Sequence, residues 1–362
     1  MDFTIVVTVL LILGTLASQA MSRTYYKSGL VNTYEQWMRQ YDRSYADNAE
    51  KERRFNIFKN TLNYVDKFNN EGKQPYKLGL NRFADLTSEE VLRNFTGYKP
   101  PPFRSFSSAS TEHDSFLYKN LTANDVPASV DWRNQGAVTD VRTQFQCGCC
   151  WAFATVAAVE GIAKIKTGNL VPLSVQQLID CSTSHWNHGC HGGYMENAYA
   201  YIIQNGGITT DASYPYLDRD DLGCRATGNG GLNNAANSVR ITGYEHLPRD
   251  SEEALLKAVS GQPVSVCIEV SQHFQMYRSG VFTGEDCRGM TNHAVTIVGY
   301  GTTEDGIKYW LAKNSWGRDW GENGYMRILR DAQSPQGVCG LATFSSYPTI
   351  SATSNDKYCN RD

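Results

Sequence analysis

Gln144-Phe145-Gln146-Cys147-Gly148-Cys149-Cys150-Trp151-Ala152-Phe153 sets a thiol directly before an apolar run. Ala152, Phe153, Val156, Ala157, Val159 and Ala163 then recur at helix-like spacing. A thiolate at a helix N-terminus meets unpaired backbone N–H groups and the positive end of the macrodipole, and both favour its charged, nucleophilic form. Such a nucleophile needs a base to share its proton. Far downstream, His293 opens the apolar, strand-like run that ends at Gly301, and Asn314 follows in Lys313-Asn314-Ser315-Trp316-Gly317. Cys, His and Asn in this order, with the last two more than a hundred residues after the first, suit acyl transfer by a cysteine whose imidazole base is oriented by an amide.

Between these segments lies Gly189-Cys190-His191-Gly192-Gly193-Tyr194-Met195. Together the motifs resemble the papain-family cysteine endopeptidases in precursor form, in particular the plant cathepsin L-like group, from about residue 30 to Pro348. The resemblance implies an α+β fold of two subdomains, one helical and one an antiparallel, barrel-like sheet, with a helical pro-domain in front. It implies Cys150 as nucleophile, His293 as base and later acid, and Asn314 as the group that orients the imidazole. Gln144 and the Cys150 backbone N–H would face the oxyanion, and Trp316 would shield the His293–Asn314 bond. Gly192 and Gly193 belong to a loop that would pair with an extended substrate by strand addition. Tyr194, Met195, Cys267, Thr291, Ala294 and Phe344 would line the second specificity pocket. No carboxylate is among them, so apolar and aromatic side chains are expected there in preference to Arg.

The same resemblance implies the disulfides Cys147–Cys190, Cys181–Cys224 and Cys287–Cys339, a connectivity the sequence itself leaves open. It implies no metal and no organic cofactor. His188, Cys190 and His191 cluster in sequence but lack paired zinc-ligand spacing. Two residues depart from the pattern. Phe145 stands where the family usually has glycine, and a positive φ there would strain it. Cys149 precedes the nucleophile and is expected to face away from the cleft as a small buried group.

Upstream, residues 32–69 are charged and read as helix, with Glu50, Arg54, Phe58, Val65 and Asn69 near one stripe. They match the family's first pro-region motif, with Thr61 and Val65 as departures, and Gly79-Leu80-Asn81-Arg82-Phe83-Ala84-Asp85 matches the second. By resemblance this domain runs an extended strand through the cleft and blocks Cys150. Residues 98–125, with Lys99-Pro100-Pro101-Pro102 and a serine-rich run, read as a cleavable linker. The expected organisation is a pro-segment over 21–125 with its domain at 32–95, a peptidase domain over 126–348 and a polar tail over 349–362. Downstream of Val239 the pattern turns to strands, at Val264–Val270, Ala294–Val298, Tyr309–Ala312 and Tyr325–Ile328.

The 362 residues carry ten cysteines and a net charge of −3, which suits an oxidising compartment and gives no reason to expect nucleic acid or stable membrane association. Residues 1–20 read as a secretory signal, with an apolar run over 4–16 and a Ser18-Gln19-Ala20 cleavage site; a membrane anchor is the competing reading. The expected destination is extracellular, vacuolar or lysosome-like. Asn94 and Asn120 stand in glycosylation tripeptides within the pro-part. The expected partners are peptide and protein substrates and the chain's own pro-segment, with the enzyme a monomer. The rival reading is a catalytically impaired storage or binding protein of the same fold, kept open by Phe145.

Overall fold

The charged N-terminal stretch forms two helices where the sequence suggested one. In the computed structural model, which describes residues 29–98, 116–122, 124–183, 187–226 and 238–351, α1 covers 29–40 and α2 covers Asn48–Glu71. The expected signal segment, most of the linker and most of the C-terminal tail lie outside the described residues. The break falls at Asp42, whose φ of 49° cannot continue a helix. Asp47 then caps α2, its carboxylate accepting from the Glu50 N–H at 2.8 Å. Tyr34 and Trp37 of α1 close on Phe58 of α2 at ring separations of 5.0 and 5.1 Å, giving the pro-domain a core of its own.

The motif residues of α2 work as ties. Arg54 binds Glu50 and, at 2.7 Å, Glu90 of α3 (Ser88–Phe95). Glu90 also completes a capping box with Thr87. The Asn69 side chain grips both backbone groups of Leu78 in β1 (Tyr76–Leu78). Asn94 is half-buried near the end of α3 and Asn120 is exposed.

β1 extends the sheet of the following domain. Nine strands form that sheet: β1, β7 (Tyr277–Phe282), β10 (Tyr325–Leu329), β9 (Lys308–Lys313), β8 (His293–Thr302), β6 (Val264–Ile268), β11 (Ser345–Thr349) and β5 (Gly243–His246) in that order, with β2 (Val130–Asp131) also on β8. All neighbours are antiparallel except β7 and β10, which run parallel, so the sheet is mixed rather than wholly antiparallel. β3 (Ile208–Thr209) and β4 (Ser238–Val239) pair separately.

The helical half is built on α4 (Cys150–Thr167), packed by α5 (Val175–Cys181) and α6 (Met195–Gln204). From Cys150 to Ala163, α4 is buried on nearly every face, which explains its apolar sequence all round. Ser265 of β6 and Thr296 of β8 both donate to the Ala154 carbonyl, at 2.9 and 3.3 Å, and so fix α4 to the sheet. Ser174 caps α5 by accepting from the Gln177 N–H. On the sheet side lie α7 (Glu252–Gly261) and the short α8 (Gln272–Met276). Among the described residues, no helix is long and apolar enough to cross a membrane.

Candidate active site

Cys150 is the first residue of α4, and no side chain caps that helix. The backbone of Ala294, Gly97, Trp151 and Tyr98, the second and last of them in the pro-segment, lies near its sulfur and works to lower the thiol against the effect of burial. His293 begins β8, in register with Ile268 of β6. Its Nε2–H donates to Asn314 Oδ1 at 2.8 Å, and the Ser315 N–H donates to the same oxygen at 2.8 Å. Trp316 lies 4.8 Å from the imidazole, tilted by 33°, and covers the bond from the side. A shielded bond of this kind gains strength from the low local dielectric.

Both reacting groups are fully buried. Burial pushes the Cys150 thiol up to about 11 and presses the His293 imidazole down to about 4. Each is therefore neutral near pH 7, and His293 Nδ1 has no hydrogen-bond partner among the described residues. A charged thiolate–imidazolium pair does not suit the closed precursor, because both groups are buried away from solvent.

Gln144 is held on four sides. Its N–H donates to the Ser315 carbonyl (2.8 Å), its carbonyl accepts from the Tyr216 hydroxyl (2.7 Å), its Oε1 accepts from Ser315 Oγ (2.6 Å), and its Nε2 donates to the Cys147 carbonyl (2.8 Å). Ser315 and Tyr216 were not singled out in the sequence, because their role appears only when distant segments meet.

Phe145 adopts φ 46° and leaves 48 % of its surface exposed. A left-handed conformation costs an L-residue roughly 1–2 kcal/mol. Phe145→Gly is therefore expected to raise unfolding stability by about 0.5–1 kcal/mol after the entropy of glycine is counted. Equilibrium denaturation of the precursor checks it, and a loss of stability would show that the ring makes compensating contacts. Cys149 is buried with its sulfur 3.4 Å from the Tyr216 hydroxyl, and burial raises its thiol.

Cys147 bonds to Cys190, Cys181 to Cys224, and Cys287 to Cys339. The first of these commits the Cys190 sulfur, which removes it from any metal set with His188 and His191.

The pro-segment threads the cleft at Gly97 and Tyr98. Both N–H groups donate to the Asn292 carbonyl (3.2 and 3.0 Å), the Gly193 N–H donates to the Gly97 carbonyl (2.9 Å), and Tyr98 bridges Gly193 in parallel. Glycine is required at 97, since a Cβ there would sit 1.8 Å from the Gly148 carbonyl oxygen. At Gly193 a Cβ would meet Asn187 at 2.5 Å and the Trp151 ring at 2.9 Å. Gly192, beside it, takes φ 107°. The second pro-region motif clamps this arrangement from outside. Phe83 packs edge-on against Trp316 at 4.9 Å, Asn81 Nδ2 donates to the Gln275 carbonyl at 2.7 Å, and Arg82 pairs with Asp319 at 2.8 Å.

Tyr98 is 5 % exposed and joins Tyr194, Met195, Cys267, Ala294 and Phe344 in one apolar cluster. Thr291 is half-buried with its methyl toward Gly340. A carboxylate outside the expected set stands near this cluster. Glu196 lines the same cavity as Tyr98 and Phe344, together with His246 and Arg249. It escaped notice because it is one residue past the Tyr194-Met195 motif and turns toward β5 only once α6 has formed.

Residues 126–349 match the papain family cysteine protease domain, and residues 34–91 match the cathepsin propeptide inhibitor domain. Vignain of Phaseolus vulgaris is 47 % identical over 330 residues, covering 91 % of this chain and 88 % of that protein. The proform of Amb a 11, a ragweed pollen cysteine protease, superposes with a TM-score of 0.80 at 41 % identity, covering 90 % of this chain and 96 % of the other. Bromelain from Ananas comosus in complex with the inhibitor E64 is 48 % identical with a TM-score of 0.58, covering 62 % of this chain and 100 % of that one. The chain belongs to the papain family of cysteine proteases. Within it, the chain is the inhibitor-bearing precursor of a cysteine endopeptidase, similar to the plant cathepsin L-like enzymes.

Proposed function

We infer that Cys150, His293, Asn314 and Gln144 perform peptide-bond hydrolysis once the pro-segment leaves. The observation that supports this most directly is the His293 Nε2–Asn314 bond of 2.8 Å beneath Trp316, in the cleft where Cys150 heads α4. With the cleft open to water, the thiol proton moves to His293 and a thiolate–imidazolium pair forms, titrating as a unit. The sulfur attacks the carbonyl carbon of the scissile bond. The negative charge that develops on oxygen is met by the Cys150 N–H and by Gln144 Nε2, whose amide has a second hydrogen beside the one on the Cys147 carbonyl. His293 gives its proton to the leaving amine, and the C–N bond breaks. The imidazole then takes a proton from water, whose oxygen attacks the thioester and frees the acid product and the thiol.

The pro-segment blocks the cleft with Gly97 and Tyr98, which are tied by backbone hydrogen bonds to Asn292 and Gly193 and leave Cys150 buried. We assign the pro-domain to about 32–95, the cut to the linker between 98 and 125, and the mature enzyme to 126–348, travelling by the secretory pathway. Asn94 and Asn120, where they carry glycans, would lose them with the pro-segment. Incubating the precursor in reductant at mildly acidic pH tests the reading: the chain should shorten by about 100 residues, counted from the linker position, and then take up an active-site-directed epoxide. A freed catalytic domain that takes up none would favour the binding-protein alternative.

The second pocket, assigned to Tyr194, Met195, Cys267, Thr291, Ala294 and Phe344, should favour apolar and aromatic side chains over Arg. Glu196 does not reverse this, because His246 stands 3.9 Å from its carboxylate and the Arg249 guanidinium lies 4.7 Å above the Phe344 ring. A peptide panel in which Arg gave the highest kcat/KM would overturn the assignment.

A further inference from the structure

A histidine of the peptidase domain stands between two phenols of the pro-domain. His273, in α8, is 9 % exposed, and pro-domain hydroxyls take both of its ring nitrogens. Nδ1 lies 2.8 Å from the Tyr76 oxygen in β1, and Nε2 lies 2.5 Å from the Tyr64 oxygen in α2. Phe68, one turn after Tyr64 on the same helix face, meets the imidazole edge-on at 4.8 Å. The pairing of β1 with β7 sets Tyr76 opposite Gly280, which takes φ 96° and where a Cβ would collide with the Pro75 carbonyl. Glycine there permits the close approach that carries Tyr76 to the histidine.

The direction of each hydrogen bond follows from the group at the far end. The Tyr76 hydroxyl donates to Glu285 Oε2 at 2.6 Å, because a carboxylate only accepts. A phenol has one proton, so the Tyr76 oxygen accepts from His273, and Nδ1 carries the hydrogen. Asp286 Oδ1, 3.4 Å from Nδ1, and Glu285 Oε2, 3.9 Å from it, favour the same tautomer. In the neutral imidazole Nε2 is then a bare acceptor, and Tyr64 donates to it. Asp286 also accepts from the His273 backbone N–H at 2.9 Å and so holds the residue in place. The chain from Tyr64 to His273 to Tyr76 to Glu285 crosses the boundary between the two domains three times.

We propose that His273, Glu285 and Asp286 form a recognition site on the peptidase domain for pro-domains that carry a phenol at both 64 and 76. The partner that fits is a helix with a hydroxyl donor and an aromatic ring one turn apart, followed by an edge strand whose phenol accepts and donates at once. Phenylalanine at 64 would leave Nε2 buried without a donor. Phenylalanine at 76 would leave both the Nδ1 hydrogen and Glu285 without their partner. Docking of this kind is separate from the chemistry at Cys150, which none of the five side chains performs.

The test is hydrogen exchange at pH 7 on the full-length precursor, held intact by Cys150→Ala. The β1 amides, and that of Gly79, whose N–H donates to the Met276 carbonyl at 2.8 Å, are protected only while the domains are docked. Tyr64→Phe and Tyr76→Phe each remove a single oxygen. Each should speed exchange in β1 by about 5- to 50-fold, the range for one buried polar group left unpaired. Exchange in α1 and α2 around Tyr34, Trp37 and Phe58 should stay unchanged, which marks undocking and not unfolding of the pro-domain. In a His273→Ala background, Tyr64→Phe should add less than about 2-fold, because its partner is gone. Unchanged β1 exchange in either tyrosine variant, an equal rise in α1, or an undiminished effect of Tyr64→Phe beside His273→Ala would each overturn the proposal. None of these readouts needs turnover. Failure of the endopeptidase reading would appear separately, as trimmed wild-type enzyme that takes up no epoxide.

Discussion

Cys150→Ala should hold the protein as a full-length precursor at mildly acidic pH and lower kcat/KM of the separately trimmed enzyme by about 10⁴–10⁶-fold, as loss of a nucleophile does in comparable triads. The reason is local. Cys150 supplies the only nucleophile at the uncapped start of α4 that the described residues place beside the backbone of Ala294 and Trp151. Cys149, its neighbour, points to Tyr216 and is no substitute. The substitution is small and the site is already packed, so the variant should fold, and its circular dichroism should match wild type. Following chain length on a gel and peptide turnover together checks the outcome. A variant that still shortened without added protease would show that another group performs the cleavage.

The second large effect concerns the precursor itself. At pH 7, a thiol pushed up to about 11 holds roughly one thiolate in ten thousand. Cys150 in the precursor should therefore react with a small alkylating agent at least about 10³-fold more slowly than in the mature enzyme, where the thiolate is paired with imidazolium. Burial beneath Gly97 and Tyr98 adds a steric barrier in the same direction. The two causes separate with pH. In the precursor, the rate should climb as pH rises toward 11, whereas in the mature enzyme it should already be flat at neutral pH. Stopped alkylation with mass analysis of the Cys150 peptide supplies the rates. Equal rates before and after removal of the pro-segment would mean that the cleft is open in the precursor.

These two results depend on different kinds of information. The nucleophile was legible in the chain because its chemistry is local: a thiol directly before a helix, glycine beside it, and a downstream imidazole and amide in fixed order. The strain at Phe145 was legible for the same reason, as an exception to a backbone requirement, and φ 46° is what that requirement imposes. The positions of β6, β8, β9 and β10 followed from short apolar runs between glycine-rich turns, and β6 is buried at every residue.

Other features exist only after distant segments meet. The break between α1 and α2 depends on aromatic packing of Tyr34 and Trp37 on Phe58, which outweighs the continuous helical pattern over 32–69. Parallel pairing of β7 with β10 depends on how the chain crosses the sheet, and strand composition does not encode direction. Ser315 touches Gln144 across 171 positions of sequence, and Glu196 reaches the second pocket only from the first turn of a folded helix.

Sequence alone therefore determined which atoms can react, because nucleophilicity, strain and periodicity are properties of neighbouring residues. Tertiary structure decided whether they do react. It brought Gly97 and Tyr98 of the pro-segment into the cleft, buried Cys150 and His293 away from solvent, and set Tyr98 in one apolar cluster with Tyr194 and Phe344. Desolvation and pocket complementarity arise from segments that are far apart in the chain, and no local pattern records them.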